Sequence, residues 1–210
     1  MMKLTDIKIV CESCMGRCEI MNPDSELLFR CPMQKIAIWP GNNSLLSLAV
    51  KSLVSGRYES IFCKGCVFVD FSVNNIRLLT NEKWLMQLKK TGLMIILITD
   101  RHLEQLALYW QLEDQGIANV IYPDANLLEI KKAINQTYYG IRGGADRGTG
   151  SKKYLRPLNK LEVDFLNLMF KGQAVKTIAL QMNLSTKKVY NLKAAIMRKM
   201  SIKQNLLITS

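Results

Sequence analysis

The 210-residue chain has a single histidine, His102, and almost no acid in its last quarter. No apolar run in it approaches the roughly 20 residues that a membrane-spanning helix needs. Each shortage excludes something. Without a long apolar run no membrane span is expected. The opening Met1–Val10 also lacks the basic-then-apolar pattern of a secretory signal. A cytoplasmic location follows as an expectation, and six cysteines are then read as thiols or metal ligands rather than a disulfide framework. With one histidine, and no nucleophile set beside a base, no catalytic constellation stands out and no enzyme is expected. His102 itself reads as a surface residue at a loop or helix start. No internal repeat is visible.

The shortage of acid is the most informative. Residues 147–210 hold 13 Lys and Arg against two acids, Glu162 and Asp164, a net charge of +11 in a chain of +12. A near-neutral body with a strongly basic end calls for a polyanionic partner, and double-stranded DNA is the commonest, since Lys and Arg release the counterions condensed on phosphates. The pattern within this stretch is helical. Asn159-Lys160-Leu161-Glu162 has the form of a capping box, with Leu158 placed to staple against Val163. Leu161, Phe165, Leu168 and Met169 then recur on one face, and Gly172 sits where a helix end wants positive φ. A short second helix, about 174–182, carries Val175, Ile178, Ala179 and Met182. Asn183-Leu184 makes a turn, and Ser185 caps a third helix with Val189, Leu192, Ile196 and Met200 inward. Its opposite face presents Lys187, Tyr190, Asn191, Ala194 and Arg198, flanked by Lys188 and Lys193. Lys187 and Lys188 lie in the first turn, where the helix dipole disfavours cations by about 0.3–1 kcal/mol each. A nearby phosphate would explain that placement; local stability does not.

Residues 157–207 resemble the LuxR/FixJ-type DNA-binding domain of bacterial transcription regulators. Leu158, Glu162, Gly172, Ile178-Ala179, Leu184-Ser185, Val189, Ile196 and Lys199-Met200 carry the resemblance. It implies a small all-α helix-turn-helix domain whose third helix enters the major groove, with base contacts falling on Tyr190, Asn191 and Ala194. Asn191 is suited to a bidentate contact with adenine, and Lys187 to a phosphate or guanine. Lys176, Lys188, Lys193 and Arg198 complete the expected DNA-binding set. A homodimer, or a heterodimer with another LuxR-type regulator, is the expected assembly.

Upstream, Thr137–Lys153 contains five glycines and reads as a flexible linker, because it lacks the strand and helix context of a phosphate loop. Before it, strands alternate with helices. Lys35–Trp39, Cys66–Phe71, Leu93–Thr99 and Asn119–Tyr122 are strand candidates. Ser44–Ser55 is a helix apolar at Leu45, Leu48, Ala49 and Leu53. Asn81–Lys90 turns Trp84, Leu85 and Leu88 inward, Leu103–Gln111 is helical, and Asn126–Gln136 closes the series with Leu127, Leu128, Ile130 and Ile134. The alternation predicts an α/β fold, a doubly wound parallel sheet with helices on both faces. The expected organisation is a cysteine-rich arm over 1–33, the α/β domain over 34–136, the linker over 137–153 and the helix-turn-helix domain over 154–210.

The α/β domain, together with its basic tail, resembles a response-regulator receiver. Asp70 ends its strand where that family's phospho-acceptor stands, and Thr99 matches the small hydroxyl of the next strand. Phosphoryl transfer there needs Mg²⁺ held by acids after the first strand, and here that strand runs into Trp39-Pro40-Gly41. Tyr122-Pro123 stands where the family's lysine would be. The resemblance is therefore to a degenerate, phosphorylation-independent receiver of the enterobacterial auxiliary-regulator type.

Cys11, Cys14, Cys18 and Cys31 precede the first expected strand of the α/β domain and form a candidate Zn²⁺ site. A split site combining Cys11/Cys14 with Cys63/Cys66, an iron–sulfur cluster, and unligated thiols all remain open on spacing alone. The leading function is a DNA-binding transcription regulator acting with a protein partner. The alternative is an interaction protein that modulates another regulator without sequence-specific DNA binding. A thiol–disulfide enzyme ranks third, because Cys63-Lys64-Gly65-Cys66 runs into a strand rather than opening a helix.

Overall fold

A computed structural model of the chain describes residues 9–11, 19–20, 36–54, 65–138 and 156–202. Four parallel strands form the centre of its sheet: β3 (Ile36–Trp39), β4 (Cys66–Phe71), β5 (Met94–Thr99) and β6 (Ile117–Ile121). Two short strands, β1 (Ile9–Cys11) and β2 (Glu19–Ile20), extend the β3 edge in antiparallel fashion, giving the order β2-β1-β3-β4-β5-β6. The parallel core and its flanking helices are the α/β architecture that the alternating pattern predicts. The antiparallel edge was not predicted: it lies within the cysteine-rich stretch, where three- and two-residue strands leave no periodic signature.

The helices divide between the two sheet faces because strand side chains alternate. Ile36, Ile38, Cys66, Phe68, Ile96 and Ile121 face one layer with Val50 of α1 (Ser44–Val54) and Ile134 of α5 (Leu127–Tyr138). Ala37, Trp39, Val67, Val69, Phe71, Ile95 and Leu97 face the other. There they meet α2 (Ile76–Leu79), α3 (Lys83–Lys90) and α4 (Glu104–Glu113). Trp84 of α3 anchors this layer, stacked on Trp39 and edge-on to Phe71 and Trp110, each with ring centroids 5.9 Å away. Trp84, Leu85 and Leu88 point inward as expected.

Two helices differ from expectation in phase. On α1 the inward residues are Val50 with Leu46 and Leu53, while Leu45 and Leu48 are 79% and 64% exposed and Ala49 is also exposed. Apolar residues run nearly all round this helix, so periodicity cannot select which stripe the sheet takes. On α5 Ile134 is buried and Ile130 packs beside it, but Leu127 and Leu128 are exposed. They occupy the first turn, where Asn126 and Glu129 exchange capping hydrogen bonds of 2.9 and 3.0 Å, and the helix begins before it reaches the sheet. The last strand starts at Ile117, two residues earlier than the sequence suggests, because Asn119 is accommodated inside it: its amide donates to the Ala133 carbonyl at 2.9 Å.

The C-terminal domain is helical: α6 (Lys160–Phe170), α7 (Val175–Gln181) and α8 (Thr186–Met200). It packs on the α4 side of the sheet. The Leu158 amide donates to the Gln105 carbonyl at 3.2 Å, His102 Nδ1 lies 3.1 Å from the Met200 carbonyl, and the apolar layers of the two domains are continuous. His102 is thus half-buried at the contact between domains rather than simply on the surface.

Candidate nucleic-acid interface

The start of α6 is the predicted capping box. Asn159 Oδ1 accepts from the Glu162 amide at 2.9 Å, and Glu162 Oε2 accepts from the Asn159 amide at 2.8 Å. Leu158 and Val163 are both buried beside it, as a staple requires. The inward face of α6 is Val163, Phe165 and Leu166, with Leu168 and Met169 half-buried; Leu161, placed inward from sequence, is 45% exposed in the first turn. All three helices end alike. Gly172, Asn183 and Ser201 have φ of 77°, 53° and 51°, and the next residue donates back five positions: Gln173 to Leu168, Leu184 to Ala179 and Ile202 to Met197. These paired 6→1 and 4→1 bonds satisfy the carbonyls that a helix end leaves open, and turn the chain sharply enough to cross α7 and α8.

That geometry sets the face of α8. Val189, Ile196 and Met200 are buried and Leu192 half-buried. Lys187, Tyr190, Asn191, Ala194 and Arg198, the residues expected on the opposite face, are all exposed, as are Lys188 and, on α7, Lys176; Lys193 is half-buried. Tyr190 leaves 57% of its surface open, so its ring and hydroxyl are accessible on this face. The Ser185 hydroxyl accepts from the Lys188 amide at 3.3 Å and caps the helix. Arg198 Nε donates to the Ala194 carbonyl at 3.4 Å, which lays its side chain along the helix.

The two acids of this basic domain are held elsewhere. Glu162 is 4% exposed and pairs with Lys199 Nζ at 2.8 Å. Asp164 lies on α6 in a groove facing α3 and α4. The Glu162–Lys199 pair fastens the start of α6 to the last turn of α8. The sequence showed the cap but not this bridge, since a contact 37 residues apart leaves no local pattern.

At the receiver-like position Asp70 is buried, and its Oδ2 accepts from Asn43 Nδ2 at 3.0 Å. Asn75 Nδ2 donates to the Asp70 carbonyl at 3.0 Å. The loop after β3 supplies Asn42 and Asn43, two neutral amides. Asp100, after β5, is committed to the backbone: its carboxylate accepts from the amides of Val73 (2.7 Å), His102 (2.9 Å) and Leu103 (3.0 Å). The Thr99 hydroxyl donates to the Asp100 carbonyl at 3.0 Å. Among the described residues no group of three or more His, Cys, Asp or Glu is placed to hold a metal ion.

Of the cysteines, Cys11 lies on β1 opposite Ala37; Cys14, Cys18, Cys31 and Cys63 lie outside the described residues. Cys66 is fully buried in the apolar layer, and burial pushes its thiol pKa up, away from the thiolate that a metal or an exchange reaction needs.

A model for the EcpR N-terminal domain matches residues 10–138. The chain belongs to the EcpR N-terminal domain family. In this EcpR-family chain a second model, bacterial regulatory proteins of the luxR family, matches residues 156–208, nearly the span over which the sequence resembles that domain. The EcpR-family body is therefore joined to a LuxR-type DNA-binding domain, that of a transcription regulator. Uncharacterized protein YqeH of Escherichia coli (strain K12) is 28% identical over 197 residues, covering 94% of this chain and 90% of the relative. Among solved structures, RcsB from Salmonella enterica serovar Typhimurium bound to promoter rprA is 14% identical with a TM-score of 0.36, covering 83% of this chain and 99% of that one. Full-length FixJ from B. japonicum is 15% identical with a TM-score of 0.35, covering 82% and 92%.

Proposed function

We propose that this EcpR-family protein regulates transcription by seating α8 in the major groove of duplex DNA, without phosphorylation at Asp70 and in assembly with a second LuxR-type subunit, its own or another. The observation that carries the reading is the division of α8. One side closes the domain core, while Lys187, Lys188, Tyr190, Asn191, Ala194 and Arg198 stay exposed, and neither acid of the domain faces them. The neutral amides around Asp70 support the phosphorylation-independent part, because Mg²⁺ at such a site depends on carboxylate ligands. The exposed Leu45, Leu48, Leu127 and Leu128, on two helices that share a sheet face, support a protein partner on the N-terminal domain.

The test is binding of the full chain to a promoter library across a salt series. A regulator of this kind shifts duplex DNA at low salt, and log affinity falls with log salt by about 0.9 per phosphate contacted. Absence of any shift at low salt would leave the partner-only reading in its place.

A further inference from the structure

Three exposed arginines stand around the junction of the two domains, each within two residues of a bond that holds it. Arg101, before α4, adjoins His102, whose Nδ1 lies 3.1 Å from the Met200 carbonyl at the end of α8. Arg198, in the last turn of α8, is two residues before Met200. Arg156 is two residues before Leu158, whose amide donates to the Gln105 carbonyl of α4 at 3.2 Å. Two residues of chain span at most about 7 Å, so the three positions border one seam. The Glu162–Lys199 pair at 2.8 Å ties the α6 and α8 sides of that seam together.

None of the three arginines is within ion-pair distance of an acid among the described residues. Arg198 spends only Nε, on the Ala194 carbonyl. Arg101 and Arg156 make no side-chain hydrogen bond among the described residues. Two nearby acids are already occupied: the Asp100 carboxylate accepts from three backbone amides, and Glu162 holds Lys199. Arg101 also stands just before the first turn of α4, at the positive end of the helix dipole, where a cation is disfavoured. Neither an ion pair nor the helix end accounts for its charge.

The seam lies at one end of the helix that would read DNA. α8 has 15 residues, about 22 Å at 1.5 Å per residue, against a major groove about 12 Å wide. With Tyr190, Asn191 and Ala194 at the base edges, its last turn passes out over the flanking backbone. Arg198 approaches that backbone from α8 itself, and Arg101 and Arg156 are held beside it by the His102–Met200 and Leu158–Gln105 contacts. A guanidinium presents five donors in one plane, a geometry suited to phosphate oxygens. Resting on the reading of α8 as the DNA-reading helix, we propose that the N-terminal domain is itself part of the DNA interface. Arg101, with Arg156 and Arg198, grips the phosphates that flank the major groove at the C-terminal end of α8. The docked N-terminal domain thereby adds affinity without adding sequence preference, since phosphate contacts carry no base information.

The test measures binding of the full chain to a selected operator and to an unrelated duplex across a salt series. Arg101→Gln is expected to weaken both by the same factor, about twofold to fivefold at fixed salt. It should also lower the slope of log affinity against log salt by about 0.9, the equivalent of one phosphate. Arg101 is exposed, so the variant keeps the melting temperature of the parent. Arg101→Lys retains most of the slope. Lys132→Gln removes the same charge at an exposed position on α5, across the sheet, and leaves the slope unchanged. An unchanged slope in Arg101→Gln, or an equal loss in Lys132→Gln, would overturn the proposal and leave α8 as the DNA reader. A parent chain that shifts no duplex at low salt would remove that reading as well.

Discussion

At the scale of single residues, the interface proposed on α8 assigns different tasks to neighbouring positions. Asn191 is exposed at mid-face, where an amide can donate to N7 and accept from the N6 amino group on the major-groove edge of adenine, a contact worth about 1–3 kcal/mol against the wrong base. Lys187 is exposed in the first turn and better placed for phosphate. In a binding-site selection, Asn191→Ala should relax preference at one base pair, while Lys187→Ala should weaken all sequences and reduce the salt slope by about one contact. An unchanged selected motif for Asn191→Ala would assign specificity to Tyr190 or to DNA shape. A second residue-level expectation concerns the helix ends. An added Cβ at Gly172 meets nothing within 4 Å, so Gly172→Ala tests conformation alone. At φ of 77° it should cost about 1–2 kcal/mol in chemical denaturation, with no change in the unfolding slope.

Between elements, one polar tie joins the start of α6 to the end of α8 above their shared apolar core. Glu162 closes the first turn of α6 and is nearly buried under Lys199 of α8. Glu162→Ala removes the cap's return bond and the partner of Lys199, whose ammonium, 30% exposed, can turn to water; a loss of about 1–2 kcal/mol is expected. Lys199→Ala leaves the cap intact and should cost less. Thermal melts of the two variants separate cap from bridge, and equal losses would show that the bridge alone matters. The cap was legible in the sequence because Asn159 and Glu162 are three residues apart, and the bridge was not because its ends are 37 apart. The same division runs through the N-terminal domain. The central strands, with their continuous apolar runs, and α3, with its clear stripe, were legible. The phase of α1 was not, since apolar residues surround it, nor were β1 and β2, too short for any period to register. The outward set on α8 was fully legible, because a basic helix with one apolar stripe has only one face left to show.

For the whole molecule, charge and contact are arranged so that the N-terminal domain meets the C-terminal one away from the exposed face of α8. His102 and Gln105 touch the end of α8 and the lead into α6, and the basic face stays open without any rearrangement. The reading proposed above has no receiver-type phosphorylation at Asp70, and the neighbours of Asp70 support it. Asn43 holds one carboxylate oxygen with a neutral amide, Asp100 is engaged by three backbone amides, and Thr99 is turned to the Asp100 carbonyl. Loading a phosphoryl group there would require Mg²⁺ beside a single free acid, with no second carboxylate to replace the waters it must shed. Treatment with acetyl phosphate and Mg²⁺ should accordingly leave the intact mass unchanged and the affinity for a selected operator unaltered. A mass gain of one phosphoryl group that disappears in Asp70→Asn would overturn this. It would also mean that Asn43 can release Asp70, and Asn43→Ala should then be modified faster than the parent chain.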